Sequence, residues 1–446
     1  MNAPALVWLR LDLRLADNPA LAAAAAHSKT IVPVFIWAPE EEGDWPPGSA
    51  SRWWLHQSLK SFDAGFRRQG IRLILRRGPS LDSLRSLIHE CGADSVFWNR
   101  RYEPAIRERD ARIERALLSD GIRVETFNAA LLFEPEEIRN SSGKPFQVFT
   151  PFWKACLSAA PDFMPEPAPR FQIDKSPSSL ALTELALEPT IDWAKGLRSA
   201  WQPGEAGAQK MLRMFINKAL DAYPKQRDYP ADNGTSRLSP HLHFGEISPR
   251  QVWVACARRR SAASQSFIRQ LGWREFAYHL LYYYPHTASE PLRAQFAHFP
   301  WREDRKMLRA WQRGQTGYPI VDAGMRELWA SGWMHNRVRM IAGSFLVKDL
   351  LLPWMEGARW FWDTLVDADL ANNSLGWQWV AGCGADAAPY FRIFNPAAQA
   401  KKFDPEEEYL RRWVPELGKL DYPQPIVNHV RARERALKAL AAIKKR

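Results

Sequence analysis

The sequence predicts a protein of two classes in one chain, a parallel α/β unit followed by an all-helical unit, and three observations carry that prediction. The first 130 residues alternate short apolar, β-branched runs with stretches of helical period, the pattern of a parallel sheet with crossover helices. Residues 158–190 are rich in Pro and Ser and hold no period, which marks a linker. From about 204 to 398 the chain reads as successive amphipathic helices with few β-branched runs. Taken in order, strands are expected at 5–9, 30–37, 71–75, 95–98 and 122–127, and helices at 19–26, 50–69, 80–91 and 105–119. Gly70, Gly92 and Gly121 each follow a helix, where a left-handed cap is wanted. In the second unit the dipeptides Ser239-Pro240 and Ser248-Pro249 are expected helix starts, with Ser as cap and Pro at the first helical position. Residues 405–446 read as a charged helical tail. The expected divisions are 1–130, 131–200 as linker, 201–415 and 416–446 as basic tail.

The α/β unit is Rossmann-like, yet no G-x-G-x-x-G follows the first strand, so the usual dinucleotide fingerprint is absent. At 446 residues, 46% hydrophobic and 25% charged, the chain is an ordinary globular protein and neither disordered nor fibrous. Arg10, Asp12 and Arg14 interrupt the apolar start, and no run approaches a membrane span, so a cytoplasmic protein with no membrane partner is expected. Four scattered cysteines suggest neither a zinc site nor a disulfide framework, and buried free thiols are expected. The net charge of +12 raises the prospect of a polyanionic partner. Half of it comes from the tail, because 428–446 holds seven Lys or Arg and one Glu. Tryptophan is abundant, with 21 in the chain and 14 of them after residue 190. Core packing accounts for most, since each ring buries a large area.

Four stretches could carry chemistry. Tyr223 to Pro230 followed by Thr235, Ser236, Arg237, Leu238 and Ser239 sets hydroxyls beside a helix start, which suits a phosphate. On a helix, Gln270 and Trp273 share a face, an amide beside a large ring that suits a flat polar ligand such as a base. Asn336 and Met340 likewise share a face, with Arg337 and Arg339 between them. Residues 367–379 pack two acids, two asparagines and two Trp into 13 positions, too polar for plain core and too aromatic for plain surface. His241 and His243 lack partner ligands at metal spacing, and no nucleophile elbow exists.

In order, VWLRLDLRLADNPAL, TSRLSPHLHFGEISPRQ, WREF, TGYPIVDAGMRELWASGWMHNRVRMI, DTLVDADLANNSLGWQW and GCGADAAPYFRIFNP resemble the DNA photolyase/cryptochrome family over about residues 5–415. The chain is most similar to the microbial cyclobutane pyrimidine dimer photolyases, because WMHNRVRM carries Asn336 and Met340 where six-four photolyases carry a His-rich segment. The resemblance implies an N-terminal α/β antenna domain, a linker and a C-terminal all-helical domain holding FAD. It also implies light-dependent repair of pyrimidine dimers in damaged DNA by a deoxyribodipyrimidine photo-lyase, working as a monomer on a flipped-out lesion. By motif, Tyr223, Thr235, Ser236, Arg237, Leu238, Ser239, Trp273, Arg339, Asp367, Asp369 and Asn373 would bind FAD. Asn373 would face its reactive central nitrogen, a neutral amide that favours the reduced anionic form. Gln270, Trp273, Asn336, Arg337, Met340 and Trp379 would hold the lesion. Trp377, Trp354 and Trp301 would form an electron route to the surface. Residues 37–45 and 99–103 fall where the family holds a second chromophore, with methenyltetrahydrofolate favoured over 8-hydroxy-deazaflavin.

Two departures stand out. Gln270 replaces a Glu that bonds the lesion, so it can still donate to a carbonyl but cannot carry charge or a carboxylic proton, and retained binding with a reduced repair yield is expected. LRLDLRL in the first strand replaces an aromatic and basic start, and an effect on packing alone is expected. The alternative function is a cryptochrome-type photoreceptor, supported by Gln270 and the tail; a dark flavin oxidoreductase lacks a nicotinamide fingerprint.

Overall fold

Five apolar runs become β1 (Ala5–Leu9), β2 (Ile31–Trp37), β3 (Ile74–Arg77), β4 (Ser95–Asn99) and β5 (Arg123–Phe127) in this computed structural model. It describes residues 3–170, 177–387 and 391–444. Part of the linker (171–176), three positions of the quoted segment 382–396 (388–390) and the last two of the tail lie outside the described residues. The strands form one sheet in the order β3-β2-β1-β4-β5, every pair parallel. β1, β2 and β4 are buried at every position, as strands covered on both faces must be. The crossovers are α1 (Pro19–His27), α2 (Ser49–Arg67), α3 (Ser80–Cys91) and α4 (Pro104–Ser119). Gly70, Gly92 and Gly121 all take positive φ, as their positions require. β3 starts three residues later than the sequence predicts. The Asp63 carboxylate takes the Leu73 N–H at 2.9 Å, so 71–73 packs its side chains without joining the ladder.

The linker is more firmly held than its composition suggests. Ser179 Oγ accepts from Leu75 N–H at 2.9 Å and Leu180 N–H donates back to Leu75, which covers the β3 edge. Leu185, Leu187, Leu197 and Trp201 then bury themselves in the α/β core. Leu185 and Leu187 thus anchor a segment whose Pro and Ser content gives no sign of burial. Before it, α5 (Phe149–Ala159) packs Phe149, Phe152 and Trp153 into the helical core.

The second unit is built on α6 (Pro249–Ala257), α7 (Ala262–Tyr283), α8 (Pro319–Ser331), α9 (Asn336–Ser344), α10 (Trp354–Thr364), α11 (Leu370–Ala381) and α12 (His429–Lys444). Ser248 caps α6 with a capping box, its Oγ accepting from Gln251 N–H at 2.9 Å and Gln251 Oε1 accepting from Ser248 N–H at 3.0 Å. Ser239 does not cap. Leu238 is the cap of the short helix Ser239–His243, and the Ser239 hydroxyl is turned to Asp367 instead. The tail helix α12 is basic on one side only. Ala432, Ala436, Ala439 and Ile443 are buried at helical spacing, the last three within the main helical core, while Arg431, Arg433 and Lys438 are exposed. His429 Nδ1 pairs with buried Asp349 at 2.5 Å and the Arg435 guanidinium donates to the Asp349 carbonyl, so the tail is docked. Cys156, Cys256 and Cys383 are buried free thiols; Cys91 is half-buried, against expectation.

Candidate active site

The site forms where α7, α9 and α11 meet the 223–243 segment. Asp369 is the cap of α11, its Oδ1 accepting from Asn372 N–H at 2.9 Å and from the Asn372 amide at 2.7 Å. Its other oxygen takes the Tyr278 hydroxyl and pairs with His243 Nδ1 at 3.4 Å. Burial alone would raise its pKa, but His243, Arg274 and Tyr278 together hold it well below the usual carboxylate range. Asp369 is therefore a fixed anion. Two residues back, Asp367 takes a bidentate contact from Arg339 Nη2 at 2.9 and 3.0 Å and the Ser239 hydroxyl at 2.6 Å. Arg339 is fixed in turn by its Nε on the Met334 carbonyl at 2.8 Å. Ser239, Arg339, Asp367 and Asp369, far apart in sequence, thus form one polar wall.

Asn373 follows on α11 and donates from Nδ2 to the Ala358 carbonyl at 3.1 Å, which orients its oxygen and makes free rotation of the amide cost that bond. Tyr223 and Leu238 are buried, while Thr235 and Ser236 are half-exposed on the turn before the short helix. The donor set fits a flavin. It offers hydroxyls for phosphates, two carboxylates and an amide for ring nitrogens and oxygens, and a helix wall that lets a ligand close in. Gly376, three residues after Asn373, is exposed, and a Cβ there meets nothing within 4 Å.

Two of the residues expected to hold a lesion, Asn336 and Arg337, flank the sulfur of a third, Met340. Asn336 Nδ2 and Arg337 Nη1 lie 3.9 and 4.0 Å from Met340 Sδ, and Asn336 is exposed. Trp273 stacks on Phe149 with centroids 3.7 Å apart and planes 7° apart, and Trp379 lies under the Arg392 guanidinium. Each ring is half-buried and held rigid on one face. Gln270, one turn before Trp273 on α7, donates from Nε2 to the Ser266 carbonyl at 3.2 Å and accepts at Oε1 from Arg227 at 3.3 Å. Of the three Trp of the expected electron route, Trp377 and Trp354 are buried in one core, and Trp301 is half-buried at its edge against Phe299. Trp377 lies in a slot between Gly343 and Gly357. Arg237 lies apart from the polar wall, its guanidinium over the Trp201 and Trp333 rings.

Several participants escaped sequence reasoning. Asp228 joins Arg337 at 2.8 Å and lies 4.0 Å from Arg227, tying the 223–230 loop to α9 across the lesion side. Glu275, two residues after Trp273, accepts from Leu132 N–H at 2.8 Å; burial pushes its pKa up to about 7 against the pull of Arg274 and two backbone N–H groups. The Arg-Asp pair at 227–228 was visible as a dipeptide, but nothing in the sequence names its partner.

The departure in the first strand proves to be more than packing. Arg10 ion-pairs with Asp110 at 2.6 Å and donates to the Asn99 carbonyl, while Asn99 Nδ2 donates to Asp12 at 2.6 Å and to Asn18 Oδ1 at 2.7 Å. This network lies at the carboxyl ends of β1 and β4, where the strand order reverses and α/β sheets place ligands, and Asp12 and Asn99 line a cavity there with Tyr102, Glu103 and Arg274. The two antenna stretches do meet, through Arg101 with Glu42 at 2.7 Å and with Glu103 at 2.9 Å.

Among the described residues, no helix is long and apolar enough to cross a membrane. Residues 5–171 match the family model described as DNA photolyase, and 267–421 match that of the FAD binding domain of DNA photolyase. A deoxyribodipyrimidine photo-lyase of Agrobacterium fabrum is 47% identical, covering all of this chain and 99% of its own. Cryptochrome-2 of Arabidopsis thaliana is 42% identical over 96% of this chain and 73% of its own length. A crystal structure of a bacterial class III photolyase from Agrobacterium tumefaciens superposes with a TM-score of 0.95 at 46% identity, covering 100% of this chain and 98% of that one. With both family models matched in order and a relative 47% identical over nearly the full length of both chains, the chain belongs to the DNA photolyase/cryptochrome family.

Proposed function

We propose that this chain is a deoxyribodipyrimidine photo-lyase that repairs cyclobutane pyrimidine dimers in DNA under light. The observation that carries it is the polar wall of Ser239 and Asp367, tied by Arg339 of α9 to the same helix that carries the Asn336–Arg337–Met340 cluster, with half-buried rings, Trp273 and Trp379, on α7 and α11. Bound FAD, in its reduced anionic form, supplies the light-driven electron that opens the dimer. The protein's own residues do the rest. Tyr223, Thr235, Ser236, Leu238 and Ser239 cradle the phosphate and ribityl side, while Arg339, Asp367, Asp369 and Asn373 orient the ring. Trp273 and Trp379 wedge the extruded lesion, whose unstacking is cheapest where damage has already weakened pairing. Asn336 and Gln270 offer neutral amides to its carbonyls and Met340 an apolar surface. Trp377, Trp354 and Trp301 form a path for recharging the site.

For the antenna, methenyltetrahydrofolate remains the better reading. Its support is the meeting of residues 37–45 with 99–103, through Arg101 and Glu42 at 2.7 Å. The test of function is a thymine-dimer oligonucleotide held with the protein under blue light and in the dark. Thymine should return in the light alone. Tight lesion binding without restored thymine would point to the photoreceptor reading.

A further inference from the structure

Arg237 is the misfit of the 235–239 stretch. It holds φ at 51°, a left-handed conformation that a long side chain adopts only where its surroundings compel it. Its Cζ lies 4.3 Å from the Trp201 ring centroid and 4.9 Å from that of Trp333, and its Nε is buried without a hydrogen-bond partner among the described residues. Both rings are anchored. Trp201 Nε1 donates to the Ser331 carbonyl at 2.8 Å, and its ring meets Trp54 of α2, 5.3 Å away; Trp54 Nε1 in turn donates to Glu246. Trp333 N–H donates to Ser331 Oγ at 3.2 Å, and two residues on His335 caps α9 by accepting from Arg337 N–H. The two rings stand at 70° with centroids 6.5 Å apart, and a planar cation in the corner they form loses water and gains cation–π attraction that ammonium, being compact and strongly hydrated, matches poorly.

We propose that Arg237 is a positioning residue and not a phosphate ligand: the Trp201 and Trp333 rings hold its guanidinium, and through it the left-handed turn that sets Thr235, Ser236 and Ser239 in register with α9. The flavin-side hydroxyls and the lesion-side Asn336, Arg337 and Met340 then share one fastening, tied to the linker through Trp201. The flavin part of this rests on the proposed function. The fastening itself does not.

The purified protein is compared with Arg237→Lys, Arg237→Ala and Arg237→Gly, reading FAD release by fluorescence after dilution and amide hydrogen exchange over 234–242 and 333–340. Arg237→Lys and Arg237→Ala should release FAD about tenfold faster and quicken exchange in both segments. Arg237→Gly should recover part of the loss shown by Arg237→Ala, because glycine holds positive φ without strain. Leu117→Ala, a core change in the α/β unit, serves as the stability control and should move neither segment. Wild-type behaviour of Arg237→Lys, or faster exchange confined to 234–242, would overturn the proposal. A wild-type protein without flavin would instead refute the functional reading, and the exchange arm would still decide this one.

Discussion

Trp377 offers a sharp test because two glycines treat it differently. A Cβ on Gly357 would sit 2.0 Å from Trp377 Cη2 and 2.5 Å from Cζ2 and Cζ3, whereas one on Gly343 would come no nearer to the ring than 3.6 Å, ordinary contact. In Gly357→Ala the ring must therefore retreat by about 1.4 Å to reach normal contact, and Phe361 at 5.0 Å and Trp311 at 6.2 Å leave it little room. Overpacking of this kind costs about 1–3 kcal/mol, and replacing a helical glycine returns about 1 kcal/mol. Gly357→Ala should therefore lose up to about 2 kcal/mol, while Gly343→Ala should gain up to about 1 kcal/mol. Urea unfolding of the two variants with the wild type measures the difference, and the yield of light-induced Trp oxidation reads the ring's position. Equal stability of the two variants, with unchanged Trp oxidation in Gly357→Ala, would refute the slot.

Other expectations follow from the same structure. Burial lowers the His279 pKa to about 4, so the ring is neutral in the fold and gains its proton near 6.5 when unfolded. The stability advantage of wild type over His279→Gln should shrink as pH falls from 6.5 to 4, by about 1.4 kcal/mol per pH unit, measured by denaturant unfolding; a constant difference would contradict a buried neutral ring. Gln270→Glu should raise repair per absorbed photon, and an unchanged yield would remove this position as a limit. Removing 428–446 should lower the melting temperature, because Ala436, Ala439 and Ile443 are core. The slope of log K for damaged DNA against log salt should fall by less than about one phosphate's worth, about 0.9; loss of most of the slope would show that the tail holds the DNA.

Much of the sheet could be read in advance because parallel strands buried on both faces leave unbroken apolar runs, and β1 and α3 fall where those runs end. β3 was misjudged at its start because a side chain, Asp63, satisfies a backbone group that periodicity assigns to the ladder. The site was legible as residue types and illegible as pairings. Asn336 and Met340 share a helix, so their meeting follows from spacing, whereas Tyr278 with Asp369 and Arg337 with Asp228 depend on the docking of distant elements. Arg237 shows the same limit: its motif suggested an anion, and nothing in the sequence names the two indoles under its guanidinium. The tail's charge drew attention from its alanine stripe, whose small side chains give a weak apolar signal yet allow close packing.

Light-driven repair by the flavin-loaded protein is tested most directly by counting restored thymine per absorbed photon as the wavelength is scanned. The yield should require bound FAD, follow the absorption of its reduced form and vanish in the dark. A protein that binds FAD and the dimer yet restores no thymine at any wavelength would contradict it.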